Sequence, residues 1–127
     1  MKVRINGNSL RFRVSRSDLT SLVAGNRVTT SIRFAPQPDA AFTYALERSS
    51  SAQMVAVRYI SGEVAVILSA AQINVWNSTD QVGIYETLDI GNSEELDLVI
   101  EKDFACLDGT DAQNEDTFPN PAVGAVC

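Results

Sequence analysis

Four cationic side chains near the start of the sequence could bind an anion together. They are Lys2, Arg4, Arg11 and Arg13, and they flank the segment INGNS, whose Asn-Gly pair is a strong signal for a β-hairpin. Alternate residues of paired strands point to the same side of a sheet, so the pattern predicts one solvent-exposed cationic face. Outward bases are also common on ordinary strands, where they protect sheet edges. The alternative is an anion-binding surface for a phosphate-bearing ligand, an acidic partner protein or the chain's own acidic C-terminal region.

The two cysteines form a second candidate site. Cys106 and Cys127 are twenty-one positions apart, with four acids between them: Asp108, Asp111, Glu115 and Asp116. Thiolates and carboxylates can bind zinc, although known zinc sites usually have closely paired Cys or His ligands. The spacing therefore leaves three interpretations open, which are a metal site, a disulfide or redox link, and two unrelated thiols.

The sequence contains no histidine. This removes the commonest general base, the commonest metal ligand and every Ser-His or Cys-His nucleophile. An enzyme would have to work with carboxylates, Lys, Tyr or Cys, for example with the carboxylates Glu101 and Asp103 at the end of the last predicted strand. A nucleophilic Cys106 would need Lys102 or an arginine to stabilise its thiolate. The composition thus favours a non-enzymatic protein and indicates no cofactor.

The charges are divided unequally along the chain, although the formal net charge is only −6. The first fifty residues hold eight bases and three acids, a net charge of +5, and the remainder holds two bases and thirteen acids, a net charge of −11. An acidic chain argues against nonspecific binding of nucleic acid, but it is compatible with one local anion site. We therefore expect no nucleic-acid partner.

The elements that would position these residues are predicted to occur twice, at an offset of fifty-four residues. Leu10 to Val14 alternates as a strand does and leads into Ser15, which has the spacing of a helix N-cap with Asp18. Val64 to Leu68 followed by Ser69 repeats this pattern, and the later strands FTYALER and LDLVIEK also correspond. Few residues are identical, so the duplication depends on pattern. Each half, about 1–49 and 54–103, is too small for a good core, and the halves should pack or interleave about a pseudo-twofold axis.

These patterns predict a strand-rich α+β domain of about eight strands and two short helices, arranged β-β-α-β-β twice and compatible with closure into a barrel. Residues 1–104 would form this domain, and 105–127 an acidic tail packed on it through Phe104, Leu107 and Phe118. No apolar stretch is long enough to cross a membrane. Two cysteines and a charged N-terminal segment unlike a signal peptide predict a cytoplasmic location.

The sequence also resembles a known family at several segments. These are KVRINGNSLRFRVS, FTYALE, TDQVGI, and VIEKDFACLD followed by FPNP and a terminal cysteine. The chain is similar over nearly its whole length to a family of small uncharacterised bacterial proteins with a domain of unknown function. The most specific part is the combination of GNSLR, EKDFACL, FPNP and the last cysteine. The resemblance implies a bacterial, cytosolic, single-domain protein whose tail belongs to the fold, and it transfers no catalytic residue.

Together these observations predict a non-enzymatic binding or regulatory module. Its basic hairpin face would hold an anionic ligand or an acidic partner protein. The alternative is a metal-binding or redox protein that uses Cys106 and Cys127. The sequence makes no prediction about the oligomeric state.

Overall fold

The computed structural model describes residues 1–51, 54–105 and 115–120. The eight strands are β1 Lys2–Ile5, β2 Ser9–Val14, β3 Val28–Arg33, β4 Ala41–Ser49, β5 Ala56–Ile60, β6 Glu63–Ser69, β7 Gly83–Gly91 and β8 Glu94–Lys102. The two helices are α1 Arg16–Val23 and α2 Ala70–Ser78. The prediction of a strand-rich α+β fold in the order β-β-α-β-β, repeated once, is confirmed.

The strands form two four-stranded sheets. Sheet A has the order β1-β2-β8-β7, and sheet B has the order β3-β4-β6-β5. Each sheet takes one hairpin from each half of the chain, and the hairpins meet at a central parallel pair, β2 with β8 or β4 with β6. The two halves are therefore interleaved. The described strands make two open sheets rather than the closed barrel that the sequence left open.

The predicted duplication is visible in the strand register. Ser9 pairs with Asp97 at the centre of sheet A, and the residues fifty-four positions away, Glu63 and Thr43, pair at the centre of sheet B. The hairpins β1–β2 and β5–β6 repeat one another at the same offset. Exchange of the two halves thus converts one sheet into the other, as a pseudo-twofold axis requires.

Both helices begin at the predicted serine caps. Ser15 Oγ accepts a hydrogen bond from the Asp18 backbone N–H at 3.2 Å, and Ser69 Oγ accepts one from the Gln72 backbone N–H at 3.1 Å. In each case the side chain three residues on bonds back to the serine N–H, which completes a capping box. These reciprocal bonds fix where each helix leaves the preceding central strand.

At the C-terminus of each helix, a backbone carbonyl accepts a hydrogen bond from a basic side chain, and the two basic residues are equivalent in the repeat. Arg48 donates to the Val23 carbonyl at 2.7 Å, and Lys102, fifty-four residues later, donates to the Thr79 carbonyl at 3.0 Å. A cation is favourable there because the last carbonyls of a helix are unpaired and negative. Burial lowers the pKa of Lys102, and the charge of Asp80 opposes this effect.

One core joins both sheets and both helices. Its largest fully buried side chains are Trp76, Phe12, Leu19, Leu22, Leu46, Leu68, Ile73, Leu98 and Ile100. Phe12 of sheet A and Tyr44 of sheet B contact each other with ring centroids 6.1 Å apart. The sheets therefore face each other across this core, and each leaves one face to solvent. Among the described residues, no helix is long and apolar enough to span a membrane.

The aromatic residues differ in burial. Trp76 and Tyr44 are buried, whereas Tyr59 and Tyr85 are 68% and 57% exposed. Tyr85 alternates with the buried Ile84 and therefore points to the outer face of sheet A, and Tyr59 lies near the end of the edge strand β5.

Candidate anion-binding face

The β1–β2 hairpin brings the four predicted cations together on the outer face of sheet A. We call this group the basic patch; it consists of Lys2, Arg4, Arg11 and Arg13. Lys2 lies directly opposite Arg13, and Arg4 lies directly opposite Arg11. The intervening residue Phe12 is fully buried, so the arginines on either side of it point outward. The patch lines a shallow cavity of about 220 Å³.

Both cross-strand pairs of the basic patch join like charges. Directly opposed like charges destabilise an antiparallel pair, whereas opposite charges stabilise it. The hairpin itself therefore offers no electrostatic reason for two such pairs in succession. What neutralises them must come from outside the hairpin.

Part of the compensation comes from β8 and the residue that follows it. Glu101 lies beside Arg13 in the parallel register, and its Oε1 is 3.6 Å from Arg11 Nε and 3.5 Å from Arg13 Nε. Asp103 Oδ2 forms an ion pair with Lys2 Nζ at 2.9 Å. Two carboxylates thus pair with three of the four cations. The pair considered above as catalytic acids is here engaged in ion pairs with the patch.

Arg4 is the most available member of the patch. Its side chain is exposed, and it makes no ion pair within the described ranges. The Arg11 and Arg13 distances to Glu101 exceed normal hydrogen-bond length, so their N–H groups remain able to donate elsewhere. The patch therefore keeps a net positive charge and free donors.

The outer face of sheet B provides an internal comparison, since Arg58 stands fifty-four residues after Arg4. There, Glu47 Oε2 accepts from Arg58 at 2.5 Å and from Arg27 at 3.1 Å, and Arg27 also pairs with Glu63. Burial raises the pKa of Glu47, but the hydrogen bonds from the two arginines outweigh this and lower it overall. On this face Arg58, the equivalent of Arg4, is therefore ion-paired, whereas Arg4 makes no ion pair within the described residues.

Residues 115–120 are attached to the body of the protein at Phe118. The Phe118 backbone N–H donates to the Asp103 carbonyl at 2.8 Å, and the Phe118 carbonyl accepts from Ala105 at 2.7 Å. The Phe104 and Phe118 rings meet edge to face, 6.3 Å apart. The attachment therefore lies just beyond the end of β8. The predicted anchor Leu107 lies outside the described residues, and the packing of the whole tail stays a prediction.

One alternative placed the acidic tail across Arg11 and Arg13; its described acids, Glu115 and Asp116, line a cavity that Lys2 and Arg13 also line, and neither makes an ion pair with the described residues. Asp116 binds the start of α1: the Ser17 backbone N–H donates to Oδ1 at 3.1 Å, the Ser17 hydroxyl bonds Oδ2, and the Arg16 backbone N–H donates to the Asp116 carbonyl at 3.0 Å. The free N–H groups and positive end of a helix favour a carboxylate there. Asp108 and Asp111 lie outside the described residues.

Docking of Asp116 on α1 should depend on pH. The hydrogen bond from the Ser17 hydroxyl is the main cause that lowers the pKa of Asp116 below its ordinary value of 3.8. A lowered pKa means that the contact is fully present above about pH 3.8 and is lost as the pH falls through the folded-state value. An NMR titration should show the Ser17 amide shifting with a midpoint below 3.8.

The matched variant for this titration is Asp116→Asn, which keeps the shape of the side chain and removes its charge. The acid-dependent shift of the Ser17 amide should disappear in it. A wild-type midpoint at or above 3.8, or the same titration in Asp116→Asn, would contradict the assigned contact.

The second candidate site lies outside the described residues, since neither Cys106 nor Cys127 is among them. In the part of the chain that the structure describes, no group of three or more Cys, Asp or Glu side chains is placed to hold a metal ion. The metal or redox alternative therefore stays a prediction.

Comparison with known proteins identifies the family of this chain. The model of a family described as a family of unknown function, DUF7009, matches residues 1–122. No curated protein matches the chain, and no solved structure does.

Proposed function

Since the chain belongs to DUF7009, a family of unknown function, we propose from the geometry of the basic patch that it is a non-enzymatic binding or regulatory module for an anionic ligand or an acidic partner protein. The observation that carries the proposal is the succession of two like-charge pairs, Lys2 with Arg13 and Arg4 with Arg11. Their mutual repulsion is only partly relieved within the described chain. A bound anion relieves the rest.

The chemistry of the patch suits carboxylate or phosphate groups. A guanidinium presents several N–H donors in one plane and matches both groups with paired hydrogen bonds. Arg4 and Arg11 lie directly opposite each other, so one anionic group can contact both. Because the cations are partly solvated, each contact contributes little, and binding is expected to weaken steeply as salt is added.

Binding is tested with a fluorescently labelled peptide of ten glutamates, measured by fluorescence anisotropy at low salt. The variant Arg4→Gln with Arg11→Gln should raise the dissociation constant about fivefold, because two exposed charge contacts of about 0.5 kcal/mol each are lost. Added NaCl should weaken wild-type binding. Inorganic phosphate, added at constant ionic strength, competes with the peptide only if the patch also accepts a small anion.

The matched control is Arg33→Gln with Arg58→Gln on the outer face of sheet B. It changes the net charge of the protein by the same amount and removes the residue equivalent to Arg4. The control should bind the peptide as the wild type does. If both double variants weaken binding equally, the effect comes from the overall charge of the protein and not from the basic patch. If Arg4→Gln with Arg11→Gln binds the peptide as the wild type does, the proposed function is refuted.

A further inference from the structure

We propose that a second copy of this chain is the acidic partner, and that it binds through an acidic patch on the same face of sheet A. We define the acidic patch by Asp89, Glu95 and Asp97. This inference rests on the proposed function, since it names the partner of the basic patch. It predicts a dimer in which the basic patch of each copy contacts the acidic patch of the other.

The acidic patch is placed by the register of β7 and β8. Asp89 lies directly opposite Glu95, and Asp97 occupies the next outward position on β8. The intervening Leu88 and Leu96 pack against the core, so the acids alternate outward. Asp97 pairs with Ser9 of β2, whose next outward neighbours are Arg11 and Arg13. Both patches therefore share one face.

The acids of this patch have no cation beside them. The Asp89 carboxylate accepts from the Gly91 backbone N–H, and the Asp97 carboxylate accepts from the Thr87 hydroxyl, each at 2.9 Å. No member of the patch makes an ion pair with any residue that the structure describes. Asp89 and Glu95 also oppose each other directly, which repeats on this hairpin the like-charge pairing of the basic patch.

No ion pair joins the two patches within the described part of the molecule. Arg11 and Arg13 both turn toward Glu101, and Asp97, two positions from Val99, the register partner of Arg11, accepts from the Thr87 hydroxyl instead. Glu95 lies six positions from Glu101, about 20 Å at about 3.3 Å per residue. On the outer face of sheet B, Arg27 and Arg58 are paired with Glu47 and Glu63, so the fold does not require such separation. The opposite patch of another molecule can supply the missing charge.

The arrangement is complementary to itself. A twofold axis between two copies can place the basic patch of each copy on the acidic patch of the other. One interface then contains both contacts, and the assembly closes as a dimer. The same face holds Tyr85, which is 57% exposed, and its cross-strand partner Val99, which also lies beside Arg11. Tyrosine is enriched at protein interfaces, whose margins are polar. The exposure of Tyr85 in an otherwise polar face is thereby explained.

Sedimentation velocity of the full chain tests this inference over a range of concentrations, at low and at high NaCl. The wild type should dimerise at low salt and dissociate at high salt. Arg4→Glu with Arg11→Glu should weaken the dimer at least about thirtyfold, and so should Asp89→Lys with Glu95→Lys, because each substitution acts in both symmetric contacts. The equimolar mixture of the two variants should form a heterodimer, since one contact then joins the two unaltered patches and the other joins the two altered patches with reversed polarity.

The control is Arg33→Glu with Arg58→Glu, which gives the net charge of the first variant on the other sheet and should leave dimerisation within about threefold of wild type. Circular dichroism verifies that each variant is folded. A wild type that stays monomeric at low salt overturns the inference, and so does a mixture of folded variants that forms no heterodimer. If the glutamate peptide still binds in either case, the proposed function stands. If neither a dimer nor peptide binding is found, both fail.

Discussion

Replacement of Trp76 by alanine should lower the free energy of unfolding by about 3–5 kcal/mol, the range for an aromatic residue deleted from a core. Trp76 is fully buried in the core that both sheets share, and its indole N–H donates to the Val82 carbonyl at 3.0 Å. The deletion leaves a cavity beside α2 and removes that hydrogen bond. Urea unfolding at high salt, where dimerisation does not contribute, measures the change.

Trp76→Phe separates the two causes. It keeps most of the buried apolar surface and removes the donor, and it should lower the free energy of unfolding by about 1–2 kcal/mol. The Val82 carbonyl retains its second donor, the Lys102 backbone N–H at 3.0 Å, so the lost hydrogen bond is the smaller effect. A loss below about 1 kcal/mol for Trp76→Ala would show that the residue does not connect the two sheets through one core.

Gly83→Ala should lower the free energy of unfolding by about 2–3 kcal/mol, at the upper end of the cost of overpacking. A Cβ at Gly83 would lie 2.5 Å from the Ile100 carbonyl oxygen and 3.0 Å from Glu101 Cβ. The backbone oxygen cannot rotate away, so β7 must shift relative to β8. Urea unfolding measures the stability, and hydrogen exchange of the β7 amides should accelerate.

The control glycine is Gly7 in the β1–β2 turn. It has a φ of +57°, and a Cβ added there would have no atom within 4 Å, so Gly7→Ala meets only the strain of a left-handed backbone, about 1 kcal/mol. Exchange of the β7 amides should stay unchanged in this variant. Equal losses for the two glycines would indicate that β7 and β8 do not approach as closely as the structure shows.

Local chemistry made much of the fold predictable. The serine caps of both helices, the Asn-Gly hairpin and the alternation of β2 and β6 depend on residues close together in sequence. The hairpin signal by itself also placed Arg11 and Arg13 on one face. For the same reason the offset between the halves was visible, because equivalent local signals recur at equal spacing even where few residues are identical.

The pairing between distant strands was not predictable in this way. A period of two shows which residues of a strand share a face, but not which strand lies beside it. Glu101 was therefore considered as a catalytic acid, whereas the parallel register makes it the ion-pair partner of the basic patch. The signal available was a glutamate followed by a base in both halves, Glu47-Arg48 and Glu101-Lys102.

The strand register of the last hairpin, β7–β8, differs from that of the equivalent hairpin β3–β4, and this difference was also not predictable. In the first half, the partner of Leu46 is Val28, which lies twelve positions after the first residue of α1. In the second half, the residue equivalent to Leu46 is Ile100. Its partner is Ile84, fourteen positions after the first residue of α2, and not Val82, the equivalent of Val28. This two-residue shift keeps the same faces inward, because the strand period is two. The alternation of inward and outward residues is the same with or without the shift, so the sequence pattern does not reveal the shift.

The interleaving of the halves has a consequence for symmetry. An assembly of two identical half-chains would carry the same residues in both sheets, so any charge placed on one outer face would be repeated on the other. A single continuous chain removes this constraint, and the two faces have become different. On sheet B, Arg27 and Arg58 pair with Glu47 and Glu63, while sheet A holds a basic hairpin beside an acidic one. Covalent joining has thus allowed one sheet to separate its charges while its counterpart keeps opposite charges side by side.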